Sequence, residues 1–337
     1  MPVVSYPSLR CILEHMKADE RLFLSARCPK ISKMDRGIPL RVDRIRFQEN
    51  SVAINYIEYE IGKDETLNLP TLILFNYISH ASFRKTFSKN YGVEEAARKV
   101  VEYLLGGRSN IRVQELSIWP NGYKNMQNMF GLFSNMKVSF FDYWDNGLHE
   151  FHPLVESPSP QFRFKAYHPT DLENAHVRTA KKLVITRYGY NEPDIWLETH
   201  KNLPNQEVIV DRIVDGLHDN NILELIEHWK ETRRAVGSSF SICKGMEDTM
   251  EVFLENVKER FKGSLIKSEK AQSIFSKIKS VSIKIDSKSK IVVYGNTHIE
   301  WARDSKVLIK VMAVESSERV SFLILEHFYN RRDYISL

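Results

Sequence analysis

The strongest metal-binding candidate in the sequence is the pair His149 and His152, which lie three residues apart and close to Asp142 and Asp145. Imidazole and carboxylate groups are common protein ligands of zinc. Zinc needs at least three protein ligands, however, and Pro153 favours a loop over a helix that would align both rings. The sequence therefore predicts two loop histidines and no metal site.

The candidate nucleophile is Cys243, which would be activated only if His218 or His228 folded against it. Cys11 and Cys28 lie on the apolar sides of two short predicted helices, and we expect both to be small core residues. The sequence contains no phosphate-binding glycine loop, no nucleophile elbow and no paired C-x-x-C motif. We therefore predict a protein that is not an enzyme, with no catalytic residues and no cofactor.

Composition places the chain among soluble globular proteins, because 42% of its 337 residues are hydrophobic and 27% are charged. Its length suits one large domain or two of ordinary size. The longest apolar run, residues 67–75, is far shorter than the roughly 20 residues of a membrane span. Three cysteines are too few for a disulfide framework, and the N-terminus has no signal-peptide pattern. We expect an intracellular protein, cytoplasmic or nuclear, without membrane contact.

Positive charge is concentrated in residues 258–290, where ten lysine or arginine residues stand against three acidic ones, while the whole chain has a net charge of +5. Such asymmetry can attract nucleic acid or another acidic partner. A solvated, lysine-rich connector between a helix and a hairpin has the same composition. Aromatic rings for base stacking are sparse there, Phe261 and Phe275 being the ones that precede Tyr294. Nucleic acid is therefore the less favoured partner.

Two or three short amphipathic helices are predicted within the first forty residues. The first has one apolar stripe at helical spacing, formed by Leu9, Ile12, Leu13 and Met16. A second helix, residues 19–28, must end there because Pro29 disfavours helical dihedral angles at the residue before it. Helices of this size cannot bury a core alone. They form either a docking element for another protein or a cap on the domain that follows.

A weak repeat of the form apolar-x-x-apolar-x-apolar follows these helices. Its sites are Val42/Ile45/Phe47, Val113/Leu116/Ile118, Phe133/Met136/Val138 and Ala180/Leu183/Ile185, with shorter matches at Phe162/Phe164 and Val208/Val210. From residue 116 to residue 208 the central positions recur every 20 to 26 residues, a period typical of leucine-rich repeats. Turn residues and β-branched neighbours at several sites favour short strands.

Three longer helices and a hairpin complete the predicted elements. The helices are expected at residues 93–105 with Gly106 as the stop, at 219–236 ending at Gly237, and at 246–261. Alternating apolar residues at 281–285 and 291–293 predict an antiparallel hairpin, and residues 307–311 supply a third strand. The predicted fold class is thus α/β: short N-terminal helices, an irregular leucine-rich-repeat-like α/β domain, and a C-terminal antiparallel hairpin region.

Aromatic residues beside turns are the candidates for a surface that recognises another protein. Tyr188, Tyr190 and Trp196 flank a polar loop, where rings can become exposed anchors for a partner. We predict these three as a possible target surface.

Three stretches carry a resemblance to a known family. They are YPSLRCILEHMKADERLFLSARCPKISKMDRGIPLRVDRI at 6–45, LIEHWKETRRAVG at 225–237, and the alternating segments within 282–312. Together they resemble the nematode-expanded F-box C proteins, which pair a divergent F-box-like start with an F-box-associated domain of unknown function. The resemblance covers most of the chain.

This resemblance implies an adaptor that recruits an unknown target protein to a cullin-type ubiquitin ligase. Residues 1–40 would be the F-box-like segment that packs onto the Skp-type linker subunit, and residues 41–337 would form the associated domain. The implied docking anchors, whose side chains would have to be uncovered, are Leu9, Leu13, Met16, Leu22 and Leu24. Two departures from the usual F-box are Tyr6-Pro7 in place of Leu-Pro and the lack of a tryptophan before Trp119.

Overall fold

A computed structural model of the chain describes residues 6–64, 66–88, 91–108, 110–119, 136–144, 160–188, 193–211, 218–244, 250–266, 279–296 and 305–315. This part of the chain contains eight α-helices and fifteen strands, so the fold is mixed α/β, as predicted. None of the described helices is both long enough and apolar enough to cross a bilayer. Contacts divide the chain into two compact units, residues 1–190 and 191–337. The predicted domain boundary after residue 40 stays a prediction.

The elements of the first unit are, in chain order, α1 (Tyr6–His15), α2 (Ala18–Arg27), α3 (Pro29–Arg36), β1 (Leu40–Phe47), β2 (Ser51–Ile54), β3 (Ile57–Lys63), β4 (Pro70–Asn76), β5 (Ser82–Thr86), α4 (Val93–Leu105), β6 (Ile111–Ile118), β7 (Met136–Tyr143), β8 (Gln161–Ala166), a 3₁₀ turn (Pro169–Glu173), α5 (Ala175–Thr179) and β9 (Lys182–Tyr188). The second unit contains α6 (Pro193–Lys201), β10 (Glu207–Val210), α7 (Asp219–Glu231), β11 (Ser239–Lys244), α8 (Met250–Phe261), β12 (Ser264–Ile266), β13 (Lys279–Lys284), β14 (Ser289–Asn296) and β15 (Ser305–Ala313).

The N-terminal segment forms three consecutive short helices. Helix α2 ends at Arg27 because Cys28 adopts an extended conformation before Pro29, which opens α3 at its first turn. Helices α2 and α3 pack against each other, and α2 also contacts β1. The second predicted helix is therefore confirmed, with both ends one residue earlier than expected.

A ladder of parallel strands forms the centre of the first unit. Strands β1, β6, β7, β8 and β9 are neighbours in that order, and each pairs in parallel with the next. Alternate side chains face one side of this ladder and form buried rows. One row is Ile45, Leu116, Phe141, Phe162 and Leu183, and the other is Phe47, Ile118, Tyr143, Phe164 and Ile185. The rings of Phe141 and Phe162 are 5.1 Å apart between centroids, so the rows are continuous aromatic and aliphatic core.

Four further strands continue from the other side of β1 as an antiparallel meander, β2 to β5. The β2–β3 connection is tight because Asn55 takes a left-handed conformation with a φ of 52°. Strand β5 ends the order of described strands in this unit and is largely exposed. Helix α4 packs on β3 through its apolar stripe, and its bounds agree with the prediction.

The second unit combines one parallel and several antiparallel pairings. Strand β10 pairs in parallel with β11, and β11, β15, β14, β13 and β12 follow in antiparallel order. The predicted hairpin and its third strand are confirmed as β13, β14 and β15. Helix α7 ends at Glu231, five residues earlier than predicted, because Arg233 already has a left-handed φ of 49°. Gly237, with a φ of 92°, lies in the turn that leads into β11.

Candidate interaction surfaces

The five predicted docking residues differ in exposure. Leu13 and Leu22 are 1% and 3% exposed, so they contribute to the packing of the N-terminal helices and do not meet the requirement of an uncovered side chain. Leu9, Met16 and Leu24 are half-buried. The apolar side chains that stand out from these helices are instead Ile12, 50% exposed, and Phe23, 46% exposed, although the Arg27 guanidinium covers one face of the Phe23 ring at 3.9 Å from its centroid. Sequence periodicity identified the stripe of α1 but could not tell its inner edge from its outer edge.

A buried cluster of charges around Asp35 joins helices α2 and α3. The carboxylate of Asp35 at the end of α3 is fully buried and accepts hydrogen bonds from Arg21 Nε at 2.8 Å, from Ser25 Oγ at 2.9 Å, and from Arg108. Arg21 also donates to the carbonyl of Pro39 at 3.0 Å. Burial by itself would raise the pKa of Asp35, but the two guanidinium groups outweigh it and hold that pKa below its usual value.

The consequence of this cluster is that the helices are part of the first unit. Arg108 follows α4 and also donates to the main-chain oxygens of Leu104, at 3.2 Å, and of Asp35, at 3.1 Å. The cluster thus joins α2 and α3 to the end of α4 and to the residues that lead into β1. The helices therefore resemble a cap whose outer face, not its inner face, is available to a partner.

The other predicted site residues fall mostly outside the described structure. Tyr188 is the last residue of β9 and Trp196 lies in α6, but their side chains are not described, and Tyr190 lies outside the described residues. The predicted target surface therefore stays a prediction. His149, His152 and Asp145 also lie outside the described residues. In the part of the chain that is described, no three His, Cys, Asp or Glu side chains come together as a metal site.

Two of the cysteines are less buried than expected. Cys11 is exposed on α1 and Cys28 is half-buried, so neither is a core residue. Cys11 lies on the outer side of α1, one residue before the exposed Ile12. Cys243 lies in β11, with its side chain outside the described residues.

The basic segment 258–290 is described at both ends, and part of its charge is already paired. Arg260 Nη2 lies 2.6 Å from Glu227 Oε2, and Lys258 forms an ion pair with Glu255 one turn away. Lys267, Lys270 and Lys277 lie outside the described residues.

The outer face of the parallel ladder carries an unexpected concentration of charged and aromatic side chains. In-register neighbours here are Arg46, Ser117, Asp142 and Arg163 in one row, and Arg44, Glu115, Phe140 and Gln161 in the next. Arg44 Nη2 lies 3.2 Å from Glu115 Oε2, and Arg163 Nη1 lies 3.8 Å from Asp142 Oδ2. Ser117 Oγ donates to Glu115 at 3.1 Å. The rows are thus joined across strands by alternating charges.

Asp142 is the most perturbed group on this face. It is 4% exposed, and burial raises its pKa to about 6 although Arg163 acts in the opposite direction. Its Oδ1 atom has no hydrogen-bond partner among the described residues. A buried carboxylate with one incompletely matched cation is an energetic cost that packing elsewhere must offset.

Cations on the same face cover the aromatic rings near the carboxyl ends of the strands. The guanidinium of Arg46 lies 4.8 Å from the centroid of the Trp119 ring, and Lys165 Nζ lies 5.1 Å from that of Trp144. Arg163 similarly lies 5.0 Å from the ring of Phe140. Each contact thus occupies one face of the ring with one of the protein's own side chains.

A third row lies nearer the amino ends of the strands. Arg41, Arg112 and Lys137 are directly in register on β1, β6 and β7, and all three are exposed. Sequence reasoning missed this surface because it followed the buried positions of the repeat. The signal that could have revealed it is the basic residue immediately before the first valine of each of these three strands.

Comparison with known proteins gives one family match. Residues 92–243 match the model of a domain of unknown function, DUF3557, which begins just before α4 and ends in β11. The match covers less than half of the chain and assigns no activity. Neither the curated proteins nor the solved structures contain a match to the chain.

Proposed function

We propose that this protein is a non-enzymatic adaptor that recruits a target protein to a cullin-type ubiquitin ligase inside the cell, in the cytoplasm or the nucleus. The proposal rests on the resemblance of residues 6–45 to F-box-like segments. The structural observation that carries it is the exposure of Ile12 on α1 and Phe23 on α2, since α1 packs on α3 and the Asp35 cluster joins α3 to α2. Apolar side chains on a pre-formed helical surface suit docking, because no further backbone entropy has to be lost to order the segment on binding.

The docking proposal is tested by co-expression of the full chain with a Skp-type linker subunit and affinity capture. Ile12→Asp and Phe23→Asp are each expected to lower capture by about tenfold or more, since a carboxylate would have to be desolvated at the interface. The matched control is Ile78→Asp, because Ile78 is 64% exposed in the connection before β5, far along the chain from α1 and α2, which carry Ile12 and Phe23 and are called the docking helices below. Leu13→Asp is unsuitable, since Leu13 is buried and the variant would fail to fold.

Two outcomes would reject the docking proposal. One is a wild-type chain that captures no linker subunit at any tested concentration. The other is equal capture by Ile12→Asp, Phe23→Asp and Ile78→Asp when circular dichroism shows all three to be folded.

We further propose that the parallel ladder is a leucine-rich-repeat-like array that presents the target-binding face. The supporting geometry is that chain neighbours β6, β7, β8 and β9 are also spatial neighbours in parallel. Equivalent buried positions, Leu116, Phe141, Phe162 and Leu183, recur every 21 to 25 residues. That interval lies within the period of leucine-rich repeats, in which each strand contributes one row to an extended binding surface.

The alternative is a module that binds nucleic acid or another acidic partner through residues 258–290. Its support is the density of lysine in that segment, reduced by the ion pairs of Lys258 and Arg260. Binding of this kind would weaken steeply as salt rises, because counterions are released from the nucleic acid. Absence of RNA and DNA binding at low salt would remove this alternative.

A further inference from the structure

The row formed by Arg41, Arg112 and Lys137 places three positive charges side by side on the exposed face of the ladder. Adjacent strands are about 4.8 Å apart, so the three side chains leave the sheet within about 10 Å of one another. Like charges directly opposite each other on neighbouring strands destabilise a sheet. The fold therefore retains an electrostatic cost at this position.

No ion pair among the described residues offsets this cost. None of the three cations has an ion pair with a described residue, whereas Arg44 is paired with Glu115 and Arg163 with Asp142. The nearest acid along β1 is Asp43, which lies two residues beyond Arg41 and is matched in the other two strands by uncharged Gln114 and Ser139. The row thus lies near Asp43 but carries no ion pair with a described residue, on a face where other cations have partners.

We propose that this cationic row is a binding site for an acidic, extended peptide segment of the target protein, held through its glutamate or aspartate carboxylates. The inference deepens the proposed function and rests on it, because it assigns the target side of the adaptor to a defined surface. Guanidinium groups bind carboxylates through two parallel hydrogen bonds, and the row offers two of them, Arg41 and Arg112. Alternate side chains of an extended peptide lie about 7 Å apart, which fits two carboxylates along a row of about 10 Å.

A peptide fits this surface better than a nucleic acid for two reasons. Single-stranded nucleic acid binds by stacking bases on aromatic faces, but Arg46 and Lys165 already cover one face each of Trp119 and Trp144. A duplex needs a long cationic track, but the row that contains Arg44 also contains Glu115, which pairs with Arg44 and interrupts the positive charge.

The test is fluorescence anisotropy with the full chain and a fluorescein-labelled peptide of alternating glutamate and serine. Arg112→Gln is expected to weaken binding by about tenfold, since it removes the central guanidinium group of the row. Arg112→Glu is expected to abolish binding, because it also places a negative charge opposite the carboxylates of the peptide. The matched control is Arg84→Gln, which removes the same charge from an exposed position of β5 in the same unit and should leave affinity unchanged. A peptide of alternating lysine and serine should not bind.

Three results would overturn the inference. Equal affinities of Arg112→Gln and Arg84→Gln would show a general effect of the net charge of +5 rather than a site. A single-stranded RNA that competes more strongly than the glutamate peptide through the same arginine would assign the row to nucleic acid. No binding of the glutamate peptide, even at low salt, would remove the site.

The linker-capture experiment separates failure of this inference from failure of the proposed function. Arg112→Glu should capture the linker subunit as well as the wild-type chain, because Arg112 lies on β6 and not on the docking helices. If the wild-type chain captures the linker subunit but does not bind the peptide, the peptide-binding inference is rejected and the adaptor proposal is retained. If the wild-type chain does not capture the linker subunit, the adaptor proposal is rejected. Peptide binding that depends on Arg112 would still establish the cationic row as a binding site.

Discussion

Asp35 and Asp142 are both buried carboxylates in the first unit, yet their pKa values move in opposite directions. Asp35 is matched by two guanidinium groups and by a hydroxyl, so its ionised form is favoured despite burial. Asp142 has one cation, Arg163, at 3.8 Å and one carboxylate oxygen without a hydrogen-bond partner among the described residues. Burial is therefore the larger effect and raises its pKa. The number of close donors, and not burial alone, sets the direction of each pKa.

Removal of the Asp142 carboxylate should change the pH dependence of stability. Because its pKa is raised from 3.8 to about 6, the folded chain binds this proton more tightly than the unfolded chain. The free energy of unfolding should therefore fall as pH rises from about 4 to about 6 and stay lower above that range, a loss of about 3 kcal/mol from this group. We expect Asp142→Asn to lack this loss in urea denaturation measured at a series of pH values. Parallel stability curves for variant and wild type across this window would contradict the assignment.

Loss of the Asp35 carboxylate should be among the most damaging single changes in the chain. Asp35→Asn leaves Arg21 and Arg108 buried without a counter-charge, and we expect a loss of about 3–5 kcal/mol in the free energy of unfolding. Because the pKa of Asp35 is lowered, its contribution is present above the unfolded value of 3.8 and is lost as pH falls through the folded pKa. Chemical denaturation measures both effects.

The control for Asp35 is Glu95→Gln, which breaks an exposed ion pair with Lys99 at 3.8 Å. Exposed pairs on a helix contribute about 0.5 kcal/mol or less, so this variant should be close to wild type. Similar stabilities for Asp35→Asn and Glu95→Gln at neutral pH would show that the buried cluster is not essential to the fold.

At the scale of elements, those with a strong local periodicity were predictable. Helix α4 has the predicted bounds because one apolar stripe and Gly106 define it within thirteen residues. The hairpin β13–β14 follows from alternation on both sides of a polar turn, where Asp286 accepts hydrogen bonds from the main-chain N–H groups of Lys288 and Ser289. Both signals lie within a short stretch of chain, so no distant contact was needed to read them.

The register of the ladder shows where periodicity was insufficient. The site predicted at Phe133/Met136/Val138 was wrong in register, because Met136 pairs with Ile111 and Val138 with Val113. The equivalent of Leu116 is Phe141, five residues beyond the predicted position. Overlapping apolar positions in β7 satisfy the same spacing twice, and only pairing with β6 selects one of them.

Other features depend on contacts between distant parts of the sequence. Arg108 donates a hydrogen bond to Asp35, which is 73 residues away in the sequence, so no local sequence pattern predicts the cluster. The cationic row likewise joins three strands that are far apart in the chain, and it becomes visible once their register is known. The antiparallel strands β2 to β5 were missed for a different reason, since Asn55 and His80 make their turns without the Asn-Gly or Asp-Gly pairs that mark hairpins most clearly.

At the scale of the molecule, the chain contains two compact units, and each has its own buried apolar residues. A single hydrophobic core rarely extends beyond about 250–300 residues, so a division is expected on size alone. We expect calorimetric unfolding to depart from two-state behaviour, with a calorimetric enthalpy larger than the van't Hoff enthalpy. Leu13→Ala, which should cost the first unit about 2–5 kcal/mol, should lower one transition and leave the other in place. A single two-state transition that moves as a whole would contradict independent units.

The exposed strand β5 carries positive charges that affect association between copies of the chain. Its main-chain groups end the order of the described strands in the first unit, a position at which sheets of separate molecules can join and grow into aggregates. Arg84 and Lys85 are exposed on this five-residue strand. Apposition of two such borders would force four cations together, and this repulsion would oppose edge-to-edge polymerisation of crowded copies of the protein.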